Sequence, residues 1–199
     1  MEMGMTEVID EVAMLEAALD QGLQLRRAGA GDAALEVLDL IIGHFGASDH
    51  PAAHQAVSRA MLGRAMALID LDREPDAVEA LDELLTRIRG RDEAVYHELR
   101  ILAAYEAATI LANQGDHPGA IEGFAFALGQ AKGDEPPALA HILAAGHLKL
   151  ATAKLHQDDA AGAVATLEAL EARWAGSDDA SLQHWIEEGR KMRAALKAA

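Results

Sequence analysis

The 199-residue chain contains no cysteine, which excludes disulfides and thiolate metal sites. Aromatic residues make up only 4% of it, while Ala and Leu are abundant, a balance that suits packed helices rather than sheets. No apolar run approaches the roughly 20 residues of a membrane-spanning helix. Glu2, Glu7, Asp10 and Glu11 occupy the place of the basic region that a signal peptide needs. No membrane association is expected, and the absence of cysteine fits a reducing, cytoplasmic location. Positive charge is scarce: 17 Lys and Arg against 33 Asp and Glu give a formal charge of −16. Sequence-independent nucleic-acid binding rests on cations that neutralise phosphates, so nucleic acid is not an expected partner. Basic or apolar protein partners are compatible with this charge.

What is present is a period of 43 residues. Ala34, Ala77, Ala120 and Ala163 fall on it, followed by Leu35, Val78, Ile121 and Val164, then by Leu38, Leu81, Phe124 and Leu167. Earlier in each repeat the same step links Leu19, Leu62, Tyr105 and Leu148, and Gly22, Ala65, Ala108 and Ala151. A further column of small residues runs Ala17, Ala60, Ala103, Gly146 and Gly189. Thr6, Asp49, Asp92, Glu135 and Asp178 keep the register and are read as helix N-caps, with Pro136-Pro137 marking a first helical turn. One domain, 1–199, is expected, with repeats at about 6–48, 49–91, 92–134 and 135–177 and a closing half-unit, 178–197.

The apolar spacing within each repeat predicts two antiparallel helices. First helices are expected at 6–28, 49–71, 92–114 and 136–156, and second helices at 32–46, 75–89, 118–132 and 161–175. In "GDHPGAIEGF", Gly115 lets one helix end in a left-handed conformation, Asp116 caps the next, and Pro118 fits its first turn. A last helix, 179–197, turns Trp185, Ile186, Met192 and Leu196 to the final repeat and carries Glu187, Glu188, Arg190, Lys191 and Arg193 on its polar side.

No constellation of catalytic residues emerges. Ser48, Ser58, Ser177 and Ser181 lack a Gly-x-Ser-x-Gly context. His50 and His54 stand four apart, but no Glu follows His50 and no third ligand is identifiable, so no metal or cofactor is assigned. The cations of "TRIRGR", Arg87, Arg89 and Arg91, close a helix whose dipole favours them there.

A small residue in the first helix, Ala opening the second and a large apolar residue one turn later resemble the tetratricopeptide (TPR) repeat; the period is longer than the familiar 34. HEAT-type repeats, which share the longer period, are the second resemblance. The position where the TPR pattern has another small residue reads Ile41, Leu84, Ala127 and Leu170. The resemblance implies an all-α, right-handed α-solenoid of four antiparallel helix pairs with a C-terminal capping helix. It also implies a concave groove on the first helices. Its positions are Asp20, Leu23 and Arg27; Arg59, Gly63, Met66 and Asp70; Leu102, Glu106, Thr109 and Asn113; and Lys149, Thr152 and His156. Leu19 with Leu23 and Leu62 with Met66 replace polar residues of the chaperone-binding members, so that specificity is not expected.

The expected function is a non-enzymatic protein–protein interaction module, an adaptor, chaperone or assembly factor that holds a partner peptide or helix in this groove. A regulatory protein that senses a small molecule is the alternative, with Gly63, Gly123, Gly129 and Gly146 giving room within the helices. A further alternative is a scaffold that self-assembles through its end faces, to which "MEMGM", residues 1–5, would contribute.

Overall fold

A computed structural model describes residues 2–48 and 50–198, with side chains described from residue 11 onward apart from residue 49. The described residues form nine α-helices and no strand: α1 (Glu2–Arg27), α2 (Gly31–Phe45), α3 (Pro51–Asp70), α4 (Glu74–Arg87), α5 (Ala94–Asn113), α6 (His117–Gly129), α7 (Pro137–Leu155), α8 (Ala160–Trp174) and α9 (Ala180–Ala198). They alternate as the period predicts. The chain divides into two compact units, Met1–Leu99 and Arg100–Ala199.

The turns inside the repeats are built alike. Gly29, Asp72, Gly115 and Asp158, each 43 apart, have φ of 78°, 58°, 83° and 57°. The next amide in each turn donates back to the helix it leaves: Ala30 to Leu25, Arg73 to Leu68, Asp116 to Leu111, and Asp159 to Lys154, at 2.9–3.0 Å. A bond spanning three residues accompanies each, as from Gly115 N–H to the Ala112 carbonyl at 3.1 Å. These paired bonds satisfy carbonyls that a helix end otherwise leaves open, and the left-handed residue reverses the chain. Gly is suited to that conformation and Asp tolerates it.

The caps of the first helices sit one residue later than the sequence pattern suggests. His50 and Pro136 are the N-caps of α3 and α7. Glu93 offers its carbonyl to the His97 N–H at 3.2 Å, and the Asp179 carboxylate accepts from Ser181 and Leu182 N–H at 2.8 and 3.1 Å. Thr6 lies within α1, which begins at Glu2, and Asp49 is outside the described residues. Glu135, read as a cap, instead closes the preceding loop. Its carboxylate accepts from the Lys132 and Gly133 amides and meets Arg173 at 2.9 Å. Burial pushes its acidity down, but these donors prevail and hold the carboxyl below its ordinary value.

In the first unit α1 packs on α2 and α3, and α3 packs on α4. Ala34, Leu38, Ala77, Leu81 and Leu84 are fully buried, and Ile41 nearly so. Gly22 admits this packing: a Cβ there would lie 2.9 Å from Leu38 Cδ2. In the second unit Phe124 fills the matching column between Ala108, Ala120 and Leu150, with Tyr105 edge-on at 5.8 Å. Gly123 sits against α5, where a Cβ would meet that of Ala108 at 2.8 Å.

The last helix docks as its apolar positions predict. Ile186 is buried, Trp185 packs near Ala140 and Leu170, and Met192 and Leu196 cover Ala151, Ala163 and Leu167. Arg190 and Arg193, assigned to its polar side, reach across to Glu171 on α8 at 2.7 and 2.8 Å.

Candidate interaction surface

The period places like-numbered residues of successive first helices side by side. In the first unit Arg59 on α3 meets Glu16 on α1, 43 residues earlier, at 3.1 Å. Arg26 meets Asp70 at 3.3 Å, and Arg27 joins both in lining a recess with Gly29, Gly31 and Leu71. Asp20 and Arg27 are exposed. Leu23 and Met66 are half-buried; Leu23 lies over Gly63, where an added Cβ would come 2.8 Å from its Cδ2. Charge pairs therefore flank an apolar strip.

In the second unit Lys149 of α7 reaches α5. Its ammonium donates to Thr109 Oγ1 at 3.3 Å and lies 5.4 Å from the Tyr105 ring centre, a cation–π arrangement. Thr109 in turn donates to the Tyr105 carbonyl at 2.9 Å. Burial lowers the Lys149 pKa, and the Glu106 carboxylate partly opposes that shift. Burial, reinforced by Glu106, raises the Tyr105 phenol above its ordinary value. Leu102 packs against Ile101, Leu139 and Leu143. Asn113 and Thr152 are exposed, Thr152 donating to the Leu148 carbonyl at 2.9 Å. His156 is exposed and stacks on His117, ring centres 4.2 Å apart and planes 4° apart.

Sequence reasoning missed Glu16, Arg26 and His117 as members of these clusters. The signal for Glu16 was available: it shares the 43-residue column with Arg59. The His117–His156 stack spans 39 residues and depends on turn geometry rather than on a column. The glycines read as room for a ligand have other surroundings. Gly63 and Gly123 face close neighbours, Gly146 meets Leu128 and Tyr105 at ordinary distances, and Gly129 faces open space. His50 and His54 belong to no group of three or more metal-ligating residues among those described. The side chains of residues 1–5, invoked for self-assembly, lie outside the described residues.

Among solved structures, the chain resembles the crystal structure of a Podospora anserina protein designated a kinesin light chain and built of nearly identical TPR-like repeats. The match has a TM-score of 0.65 at 18% identity and covers 94% of this chain and 91% of that one. The fold is TPR-like. Neither a protein-family profile nor a curated protein matches the chain. In this TPR-like fold the column Ile41, Leu84, Ala127 and Leu170 is buried throughout, although three of its four members are large. The longer period is accommodated in first helices of 19–26 residues. None of the described helices is long and apolar enough to cross a membrane.

Proposed function

We propose that the chain is a non-enzymatic interaction module that receives a peptide or helix of a partner protein along the faces of its first helices, as an adaptor, chaperone or assembly factor. The observation that carries this reading is the mixed face found in each unit. Half-exposed ion pairs flank Leu23 and Met66 in one, and in the other a half-buried ammonium sits on an aromatic ring, with the exposed Asn113 and Thr152 on the same first helices. Such faces offer both polar partners for a backbone and apolar contact for side chains. The partner is expected to be basic or apolar, given the formal charge of −16.

The test is capture from native lysate by the wild-type chain beside the triple variant Arg59→Glu/Asn113→Ala/Lys149→Glu, after circular dichroism shows equal helicity. A protein retained by wild type and lost by the variant is the expected result. Identical capture by both would move the partner site off these faces, and capture by neither would favour a small ligand.

A further inference from the structure

His54 and Tyr96 meet within the first unit, where the first turn of α5 lies against the first turns of α3. Tyr96 is fully buried, and its hydroxyl is 2.8 Å from His54 Nδ1, with the rings edge to face at 5.4 Å. A buried phenol must give its proton to an acceptor, since an unsatisfied O–H costs about 1–3 kcal/mol. Were Nδ1 protonated, the Tyr96 hydrogen would have no acceptor there. The bond therefore runs from the Tyr96 hydroxyl to an unprotonated Nδ1, and the neutral ring carries its proton on Nε2. The backbone of His54 is fixed as well, because its carbonyl accepts from the buried Ser58 hydroxyl at 2.8 Å.

The charged groups facing this imidazole are mostly cationic. Arg87, at the end of α4, donates to the Gly46 carbonyl at 3.0 Å, and Arg91, in the segment before α5, lies 5.4 Å from the Tyr96 ring centre. Glu93, the residue before α5, is the opposing carboxylate and stands 3.9 Å from Arg91. Burial, Arg87 and Arg91 lower the His54 pKa, and Glu93 opposes them.

We propose that His54 and Tyr96 form an acid-sensitive latch that keeps the first turn of α5 on α3 while His54 is neutral and releases it when His54 takes up a proton. Protonation at Nδ1 removes the only lone pair that accepts the Tyr96 hydrogen, and it adds a third cation beside Arg87 and Arg91. The released turn frees a proton acceptor with ordinary His basicity, near pKa 6.5. Local opening is therefore favoured progressively below that pH, by at most about thirtyfold at pH 5. This device is independent of the interaction reading.

The test is amide hydrogen exchange of the full chain at pH 7.5 and 5.0, corrected for intrinsic rates and read at residues 94–99, in wild type and His54→Gln. Glutamine keeps an acceptor for Tyr96 and does not titrate. Wild-type opening is expected to increase about tenfold at pH 5.0, within the bound set by the two proton affinities, while α2 stays protected and His54→Gln changes little. No increase in wild type, an equal increase in His54→Gln, or an equal increase in α2 would overturn the latch. Should His54→Gln fail to fold, Tyr96→Phe keeps the buried ring, and the His54 ring is titrated by NMR instead. Its midpoint is expected to rise when the phenol proton is removed, and an unmoved midpoint would also overturn the proposal.

Discussion

The two units are built on one period yet satisfy their second-helix starts and first-helix faces differently. In the first unit the N-cap residues of α2 and α4 are Ala30 and Arg73, neither of which caps with its side chain. In the second, α6 and α8 have Asp116 and Asp159 as N-caps, whose carboxylates accept from Gly119 and Gly162 N–H at 3.1 and 2.8 Å. The first unit holds twenty acidic against eight basic residues, and the second thirteen against nine. The first unit's first-helix faces are joined by half-exposed ion pairs, whereas the second unit uses an ammonium on a ring and a hydroxyl. The turns and buried columns that the two units share are therefore what the fold needs, and the caps and charges are free to vary around them.

The largest effect should come from the shared column at its bulkiest member. Phe124→Ala is expected to lower stability by about 3–5 kcal/mol, because the cavity between α5, α6 and α7 closes only partly. Leu38→Ala, the same position in the first unit, should cost about 2–5 kcal/mol. Urea unfolding followed by circular dichroism measures both, and an effect below about 1 kcal/mol at either site would remove that column from the common core.

Glycine sharpens the comparison. Gly123→Ala drives a Cβ to 2.8 Å from the Ala108 Cβ, which has no torsion to yield, so the helices must separate. A loss of about 1–3 kcal/mol is expected, as for other overpacked contacts. Gly63→Ala meets the tip of Leu23 at the same 2.8 Å, but that side chain can swing. Replacing Gly inside a helix gains about 1 kcal/mol in propensity, so this variant should be near neutral or more stable. Equal losses in the two would mean that Leu23 is as rigid as backbone.

Acid should also act on the second unit, through His147. The ring is buried, its Nδ1–H donates to the Leu143 carbonyl at 2.8 Å, and Trp174 stands edge-on at 5.6 Å. Burial lowers its pKa; the Leu143 bond opposes this and Arg173 adds to it. Because the native value lies below the unfolded one, near 6.5, the unfolded chain binds more protons between the two. The stabilisation is fully present above about pH 6.5 and is lost as pH falls through the lowered native value. Unfolding free energies of wild type and His147→Gln between pH 7.5 and 5 should converge as pH falls, and parallel curves would assign the acid response elsewhere.

Much of this fold is legible in the sequence because its supporting positions repeat. Gly29, Gly115 and the alanines of the second helices mark turns and close approaches wherever the step of 43 lands. Asp72 and Asp158 occupy the same left-handed turn without announcing it, since the backbone there asks for tolerance of positive φ and not for glycine itself. The N-caps of the first helices were displaced by one residue because a capping side chain is a sufficient but not a necessary start. Pro136 begins α7 by its own backbone restriction, which leaves Glu135 to tie down the loop. Of the candidate surface, Glu16–Arg59 follows from the period, whereas Lys149 on Tyr105 does not. A long flexible side chain chooses its partner in three dimensions, and no column records that choice.

The smallest effect should be found at that legible pair. Arg59 and Glu16 are both about two-fifths exposed, at 40% and 42% of their side-chain surface, so water and salt screen their attraction. Arg59→Ala is expected to cost no more than about 1 kcal/mol, and the difference should shrink further in 0.5 M salt. The same substitution at Lys149 removes a half-buried stem from the Tyr105 face as well as a charge, so its cost should be larger and nearly independent of salt. Urea titrations of the two variants at low and high salt separate these cases. A salt-sensitive loss at Lys149 would make its bond to the field of Glu106 more important than its packing, and the two units would then share a charge-based face after all.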